Sequence, residues 1–397
     1  MMKVLIINDH KDGGGAESVV AMQYQLLKEA ISVDILYGDE LSPEINIFSY
    51  IYSYKVKKAV VNKLKEANYD IVHLHNFYHI LSPSVLQALR QAKKTNHRLK
   101  VIYTAHDYHL VCPNSGYYYL KNKSIVNFQI NDKWPWMFIN NIDKRSIIHN
   151  LLKKAQWFNA YVIHDYRKVI DVITAPSFFL KQVILAHFNA EVRMIRNPSA
   201  PINNDAGVFD KTADNKLQLV FFGRLSIEKG LNNFIKLLSQ INDIPYHLSV
   251  IGDGPEYHEL TKLVAQYRLT DKIKFIGKMV RSDLLSSLKK YDLFVLPSVW
   301  YENAPMSILE AAQAGLMIAT PDHGGMTEMV EAVGGGYHFN YADPGKLRSC
   351  LIDAQRVKHQ KPQSHINDFA AFLPETFCSK MIDLYKEVLS NQSQTHE

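Results

Sequence analysis

The chain has 397 residues, more than one hydrophobic core supports, because cores stop growing at about 250 to 300 residues; two domains are expected. Hydrophobic residues make up 47% and charged residues 21% of it, which excludes disordered and fibrous classes and points to a compact soluble body. The net charge of +6 is uneven: 25 Lys and Arg stand against 16 Asp and Glu up to Arg196, and 20 against 23 after it.

Much of the basic excess lies in 55–65 and 93–100. Two readings stay open, a solvated helix face or a contact with anionic lipid, where each basic residue contributes about 1 kcal/mol. No nucleic-acid partner is expected. Cys112, Cys350 and Cys378 are too dispersed for a metal cluster and odd in number, which fits a reducing cytoplasm. The opening MMKVLIIND is too short an apolar run for a signal peptide, and no stretch reaches the roughly 18 apolar residues of a membrane span. The expected location is cytoplasmic, with peripheral attachment at the inner face of the membrane as an option.

Short apolar runs alternate with amphipathic segments, the pattern of βαβ units and parallel sheets. In the first half, strands are expected at 4–8, 33–37, 71–75, 101–105, 172–175 and 193–196, giving an N-terminal Rossmann-like domain over 1–196. The polar, proline-containing stretch 197–216 reads as a linker. The alternation resumes with LQLVFFG, HLSVIG, IKFIG, LFVLP and MIATP, a second doubly wound parallel sheet over 217–372. Residues 373–397 read as a C-terminal helix, for which packing back on the first domain is one arrangement. Between about 108 and 149 the pattern breaks, and Tyr117, Tyr118, Tyr119, Trp134, Trp136 and Phe138 crowd together. Long irregular segments in compact domains are usually functional. An acceptor contact, a membrane contact through Tyr117, Tyr118, Trp134 and Trp136, or ordinary lid packing all fit.

Three motifs carry chemistry. After strand one, DHKDGGGAES fails the dinucleotide fingerprint, since counting from Gly13 the third glycine position falls on Ser18. Gly14 and Gly15 offer bare backbone and helix-terminal amides to a ligand, or form a plain turn. In LQLVFFGRLSIEKG, Arg224 follows a strand and Lys229 precedes a helix, so two cations and a helix terminus can meet a diphosphate. In LFVLPSVWYENAPMSILEAAQAG, Glu302 lies in a loop above a strand. Asn303, Ala304 and Pro305 form a turn, and Met306 opens a helix containing Glu310, whose carboxylate could accept two ribose hydroxyls.

GRLSIEKG, IGDGPE, PSVWYENAPMSILEAAQAG and TPDHGGMTE, in that order, together with GGGAE, IVHLHN and YTAHDYHLVCP in the first half, resemble retaining glycosyltransferase family four over about residues 3–340. The resemblance implies the GT-B fold, two Rossmann-like domains facing across a cleft, the first on the acceptor side and the second binding a sugar nucleotide. It also implies that Arg224 and Lys229 hold the donor diphosphate, that Glu310 binds ribose and that Glu302 contacts the transferred sugar. Asn303, Ala304, Pro305 and Met306 line the donor, His106 faces the sugar, and Gly14 and Gly15 lie along the donor phosphates or the acceptor. Asn303 and Ala304 differ from the bulkier or glycine residues of many members, and Asn197-Pro198 replaces a frequent Asn-Gly.

The implied reaction moves a hexosyl unit from a nucleotide-diphosphate sugar, UDP or GDP, to a saccharide or lipid-linked saccharide, with no cofactor. Cations would replace a metal ion, as there is no Asp-x-Asp triplet. His73 and His75 share a strand face, but no carboxylate or cysteine joins them at ligand spacing. The alternatives are another GT-B sugar-nucleotide enzyme, an epimerase or phosphorylase, or an inactive sugar-nucleotide-binding scaffold.

Overall fold

The computed structural model describes residues 2–41, 46–199, 215–358 and 369–390. The chain divides into two compact units, Met1–Pro198 with Phe372–Glu397, and Ser199–Ala371. Most of the expected linker, 200–214, lies outside the described residues.

In the first unit, strands β1 (Lys3–Asn8), β2 (Ser32–Tyr37), β3 (Ile71–Leu74), β4 (Lys100–Thr104), β7 (Val172–Ala175) and β8 (Val192–Met194) form a parallel sheet in the order β2-β1-β3-β4-β7-β8. The short hairpin β5 (Tyr118–Lys121) and β6 (Ser124–Asn127) stands apart from it. Val4, Leu5, Ile6 and Ile7 are all fully buried, because helices cover both faces of a parallel sheet and its central strands therefore read as continuous apolar runs. The helices are α1 (Gly15–Lys28), α2 (Gly38–Leu41), α3 (Ile47–Ile51), α4 (Tyr54–Glu66), α5 (Ser84–Thr95), α6 (Trp134–Ile139), α7 (Ile147–Phe158) and α8 (Phe178–His187). Ser53, Ser146 and Ser177 start α4, α7 and α8 by accepting the N–H three residues on, as N-cap hydroxyls do.

The second unit repeats the plan with β9 (Leu217–Phe222), β10 (Tyr246–Ile251), β11 (Ile273–Gly277), β12 (Leu293–Val295), β13 (Met317–Pro321) and β14 (Tyr337–Phe339), in the parallel order β11-β10-β9-β12-β13-β14. Its helices are α9 (Leu231–Leu238), α10 (Tyr257–Gln266), α11 (Arg281–Ser287), α12 (Met306–Gln313), α13 (Gly325–Ala332) and α14 (Pro344–Val357). The order reverses between β9 and β12 here, and between β1 and β3 in the first unit. Open α/β sheets bind ligands outside the carboxyl ends of strands at such points.

The last helix, α15 (Pro374–Ser390), belongs to the first unit. Phe377, Met381, Leu384, Tyr385 and Val388 join one apolar cluster with Val4, Ile6, Val20 and Leu27, at the three- and four-residue spacing of an amphipathic helix face. Tyr385 also places its hydroxyl 2.6 Å from His73 Nδ1, and Gln23 Nε2 lies 2.8 Å from the same nitrogen.

The segment 108–149 is ordered by its own core. Asn122 and Lys123 both have positive φ, the geometry of a tight hairpin turn that matches strand twist, and Tyr108, Tyr117 and Phe128 are buried beside it.

Removing the Tyr385 hydroxyl leaves buried His73 one partner short. Tyr385→Phe is expected to lower the unfolding free energy by about 1–2 kcal/mol, read as a lower urea midpoint at unchanged slope.

Candidate active site

In the second unit the site begins where β9 and β12 end. After Phe222 the chain passes Gly223 to Arg224, whose side chain is exposed. A 3-10 turn, Ile227–Lys229, then delivers Lys229. Gly230 closes that turn at φ +69°, and a Cβ there would stand 1.9 Å from the Pro297 carbonyl oxygen. Only glycine supplies both the left-handed backbone and the close approach. That approach seats the Lys229 turn on the segment following β12, where the Val299 N–H also donates to the Glu228 carbonyl at 2.9 Å.

From that segment rises Glu302, 6% exposed. Its Oε1 accepts from Lys229 Nζ at 2.6 Å and from Ser298 Oγ at 2.6 Å. Burial pushes the carboxyl pKa up, but the Lys229 charge and the two hydrogen bonds outweigh burial and hold it below the usual glutamate value. Glu302 is therefore an ionised carboxylate with a fixed orientation. The loop holding it rests on α13. The Gly325 N–H donates to the Glu302 carbonyl at 2.7 Å, and a Cβ on Gly325 would come within 1.7 Å of the Asn303 carbonyl oxygen. His323 Nε2 lies 3.0 Å from the Ser298 carbonyl, so TPDHGGMTE is the bed of the Glu302 loop.

Asn303 and Ala304 continue the loop, Pro305 is the N-cap of α12 and Met306 its first residue. Glu310, one turn in, is buried; burial raises its pKa, opposed by Arg281. Arg281 Nη2 lies 2.5 Å from Glu310 Oε1 without hydrogen-bond alignment. The pair is thus a close charge contact that leaves the oxygen without a directed donor. The structure brings together Lys229, Glu302 and Ser298, and separately Glu310 and Arg281. It records no bond between Arg224 and either pair among the described residues.

In the first unit His106 follows β4. Its Nε2 lies 2.9 Å from His75 Nδ1, and the His73, His75 and His106 rings stack in succession with centroids 4.5 and 5.1 Å apart. Both His73 nitrogens are engaged, Nδ1 by Tyr385 and Gln23 and Nε2 by Thr104 Oγ1 at 2.7 Å. Burial lowers His73 to about 3 and His106 to about 4, and takes His75 well below its ordinary value. Beside His106, burial pushes Asp107 up to about 7, against the His109 N–H that its carboxylate accepts at 2.8 Å. Asp107 Oδ2 is also bonded to the Tyr78 hydroxyl. At the end of β1, Asp9 is fully buried and accepts the N–H groups of His79, Ile80 and Leu81 at 2.8 to 3.0 Å. It thereby shapes the loop after β3.

Gly14 and Gly15 sit at the exposed start of α1, but the Gly14 N–H donates to the carboxylate of Glu17 at 2.8 Å. This helix terminus already carries an anion of its own. The aromatic segment departs from the sequence expectation more sharply. Tyr117 is 0% exposed and donates its hydroxyl to the Gln129 carbonyl, so its ring packs the segment and is not offered to an acceptor or membrane. Tyr118 is half-buried on β5, Trp136 is exposed on α6, and the side chain of Trp134 lies outside the described residues. Arg281, Asp107, Asp9 and the His75–His106 contact were not singled out from sequence as site features. For Asp107 the signal was available, directly after His106 in the loop following a strand.

Comparison with known proteins places the second unit. Residues 208–354 match the family described as glycosyl transferases group 1. This segment of the second unit is similar to that family. The chain is 27% identical over 280 residues to an uncharacterized 42.6 kDa protein in the cps region of Klebsiella pneumoniae, covering 70% of this chain and 64% of that protein. It is 28% identical over 157 residues to the putative colanic acid biosynthesis glycosyltransferase WcaL of Salmonella typhimurium, covering 38% and 39%. The matches thus span less than two thirds of these curated relatives. Among solved structures, Anabaena Alr3699/HepE in complex with UDP and glucose superposes with a TM-score of 0.63 at 18% identity, over 98% of this chain and 100% of that one. Two six-stranded parallel sheets with this likeness make the fold of this chain GT-B. The family match contains Arg224, Lys229, Glu302 and Glu310 but stops short of the histidine row.

The histidine row sets a pH dependence. Unfolded histidine binds a proton near pH 6.5, whereas His73 in the folded chain does so only near 3. Its contribution to stability is complete above about pH 6.5 and is lost as pH falls toward the folded value, at about 1.4 kcal/mol per pH unit for each such histidine. Stability measured by urea unfolding between pH 6.5 and 4 is expected to fall less steeply in His73→Gln than in the native chain.

Proposed function

We propose that the chain is a retaining glycosyltransferase that moves a hexosyl unit from a UDP- or GDP-sugar to a saccharide hydroxyl, in surface polysaccharide synthesis such as O-antigen, capsule or exopolysaccharide. The observation that carries this reading is the Lys229–Glu302–Ser298 triad, built on a buried carboxylate at the switch point of the second sheet, with Arg224 exposed at the end of β9. Support comes from the relative named as a colanic acid glycosyltransferase and from the similar fold solved with UDP and glucose.

Breaking the bond between the anomeric carbon and the phosphate oxygen leaves the electron pair on the diphosphate, while the sugar becomes oxocarbenium-like. Arg224 and Lys229 are assigned to the departing diphosphate. Lys229 spends one of its three N–H donors on Glu302, and an ammonium held this way meets the growing charge without reorganising. Glu302, ionised and oriented by Ser298, is assigned to the hydroxyls of the transferred sugar. Glu310 is assigned to the ribose, where a diol would exchange for the contact with Arg281. Asn303, Ala304, Pro305 and Met306 are assigned to the donor through the loop and first turn of α12. His106, neutral at physiological pH, takes its implied role toward the sugar as a hydrogen-bonding group, and Gly14 and Gly15 remain assigned to backbone contact with donor or acceptor.

The acceptor is read as a saccharide on a lipid carrier, at the cytoplasmic face of the membrane. No helix among the described residues is long and apolar enough to cross a membrane, so the attachment proposed is peripheral. The basic side chains of α4 support it: Val56 and Val60 turn inward, while Lys55, Lys57 and Lys58 lie on the outer surface.

The test is turnover of UDP-, GDP-, ADP- and TDP-sugars without added metal. One donor is expected to release its nucleoside diphosphate, and Arg224→Ala is expected to reduce that rate about 100- to 1,000-fold. Turnover that needs a divalent ion and ignores Arg224 would contradict the assignment of the diphosphate.

A further inference from the structure

The first unit holds a cavity outside the assigned residues. It has a volume of about 480 Å³ and is lined by Asn46, Ile47, Phe48, Tyr50, Arg145, His149, Leu152 and Lys153, a size in the range of small-molecule pockets. Its apolar wall includes Ile47, 56% exposed, and Phe48, 84% exposed. Large apolar side chains this exposed at a concave site mark an interaction site.

The polar part of the cavity is cationic. Asp143, itself buried, is held by Arg145 Nη2 at 2.8 Å and by Lys153 Nζ at 3.0 Å. Arg145 and Lys153 thus share one carboxylate, beside His149. Arg145 is fixed in place, because its Nε and Nη2 both reach the Asp143 carboxylate. A preset guanidinium beside an apolar wall fits a ligand with a phosphate at one end and hydrocarbon at the other.

The cavity is also tied to the carboxyl-end face of the first sheet. Gln156 of α7 donates to the carbonyls of Tyr50, in the cavity wall, and Tyr78 at 2.5 and 2.9 Å. Tyr78 bonds Asp107, next to His106, and Trp157 Nε1 donates to the His109 carbonyl at 2.8 Å. A ligand in the cavity is therefore connected through one rigid hydrogen-bonded layer to the loop that carries His106. A flat basic surface would suit a bilayer; a concave pocket joined to this loop suits a single lipid molecule.

We infer that this cavity is the binding site for the phosphorylated lipid carrier of the acceptor, with the phosphate at Arg145 and Lys153 and the chain along Phe48, Ile47 and Leu152. The inference rests on the transferase reading for the word acceptor, and on the cavity alone for the ligand chemistry.

The experiment is calorimetric titration of the full chain, without nucleotide sugar, with decyl phosphate below its micelle concentration, inorganic phosphate and the neutral decyl maltoside. Decyl phosphate is expected to bind saturably and at least tenfold more tightly than either other probe, with affinity rising several-fold per methylene from octyl to decyl. Phe48→Asp, at an exposed position, and Arg145→Gln, which leaves Asp143 paired with Lys153, are each expected to weaken it at least tenfold at unchanged circular dichroism. Equal binding by the variants, equal binding of inorganic phosphate, or binding to anionic vesicles without binding to monomeric decyl phosphate would each overturn the site. Donor turnover is measured separately: decyl phosphate binding without any donor turnover keeps the cavity and removes the transferase reading, and turnover without such binding does the reverse.

Discussion

The second unit is organised around one buried charge. A carboxylate as enclosed as Glu302 stays ionised only with a cation in contact, and Lys229 at 2.6 Å supplies it. That requirement explains the surrounding backbone. Gly230 lets the Lys229 turn touch Pro297, Gly325 lets α13 touch Asn303, and Ser298 fixes the carboxylate oxygen that Lys229 approaches. None of these contacts is an apolar packing contact. Two close backbone approaches and one side-chain hydrogen bond hold two side chains from separate strand ends in register.

The first unit solves a different problem with the same sheet plan. Its carboxyl-end face collects buried groups, three stacked histidines whose pKa values burial lowers and a carboxyl raised to about 7. His73 is satisfied by hydrogen bonds of mixed origin, from α1 through Gln23, from the neighbouring strand through Thr104, itself bonded to Thr174, and from α15 through Tyr385. A buried polar group left short of a partner is costly. The return of α15 is thus more than apolar cover, because its tyrosine bonds the histidine at the base of the row.

Much of the fold was legible from sequence because parallel strands buried on both faces stand out as apolar runs, and glycines and charged residues mark the strand ends. Arg224, Lys229, Glu302 and Glu310 stood out as candidates because each lies within a few residues of such a run or of the helix it feeds, and the family resemblance supplied their proposed roles. Arg281 was not, since it comes from a helix far along the chain and meets Glu310 only through tertiary folding. Asp9 and His75 look in sequence like ordinary strand-end residues, and their roles depend on which loops fold over them. The aromatic segment left acceptor contact, membrane contact and ordinary lid packing open. Tyr117 and Phe128 are buried and pack, with Tyr117 reaching His187 of α8, while Trp136 and Ile139 on α6 stay exposed.

Charge accounting separates the two cations near the switch point of the second sheet. Lys229 is matched by Glu302, and Arg281 by Glu310, so neither pair brings a net charge to a ligand. The surplus comes from Arg224 and from the amides opening α12, where a helix terminus carries about half a positive charge. Lys229 presents donors from a fixed point whose field its partner largely cancels at a distance. Arg224 is exposed and, in the proposed reaction, would act on the diphosphate by its charge. An anion arriving at this face meets a weak long-range attraction and strong short-range donors, an arrangement that favours recognition of phosphate shape over indiscriminate anion binding.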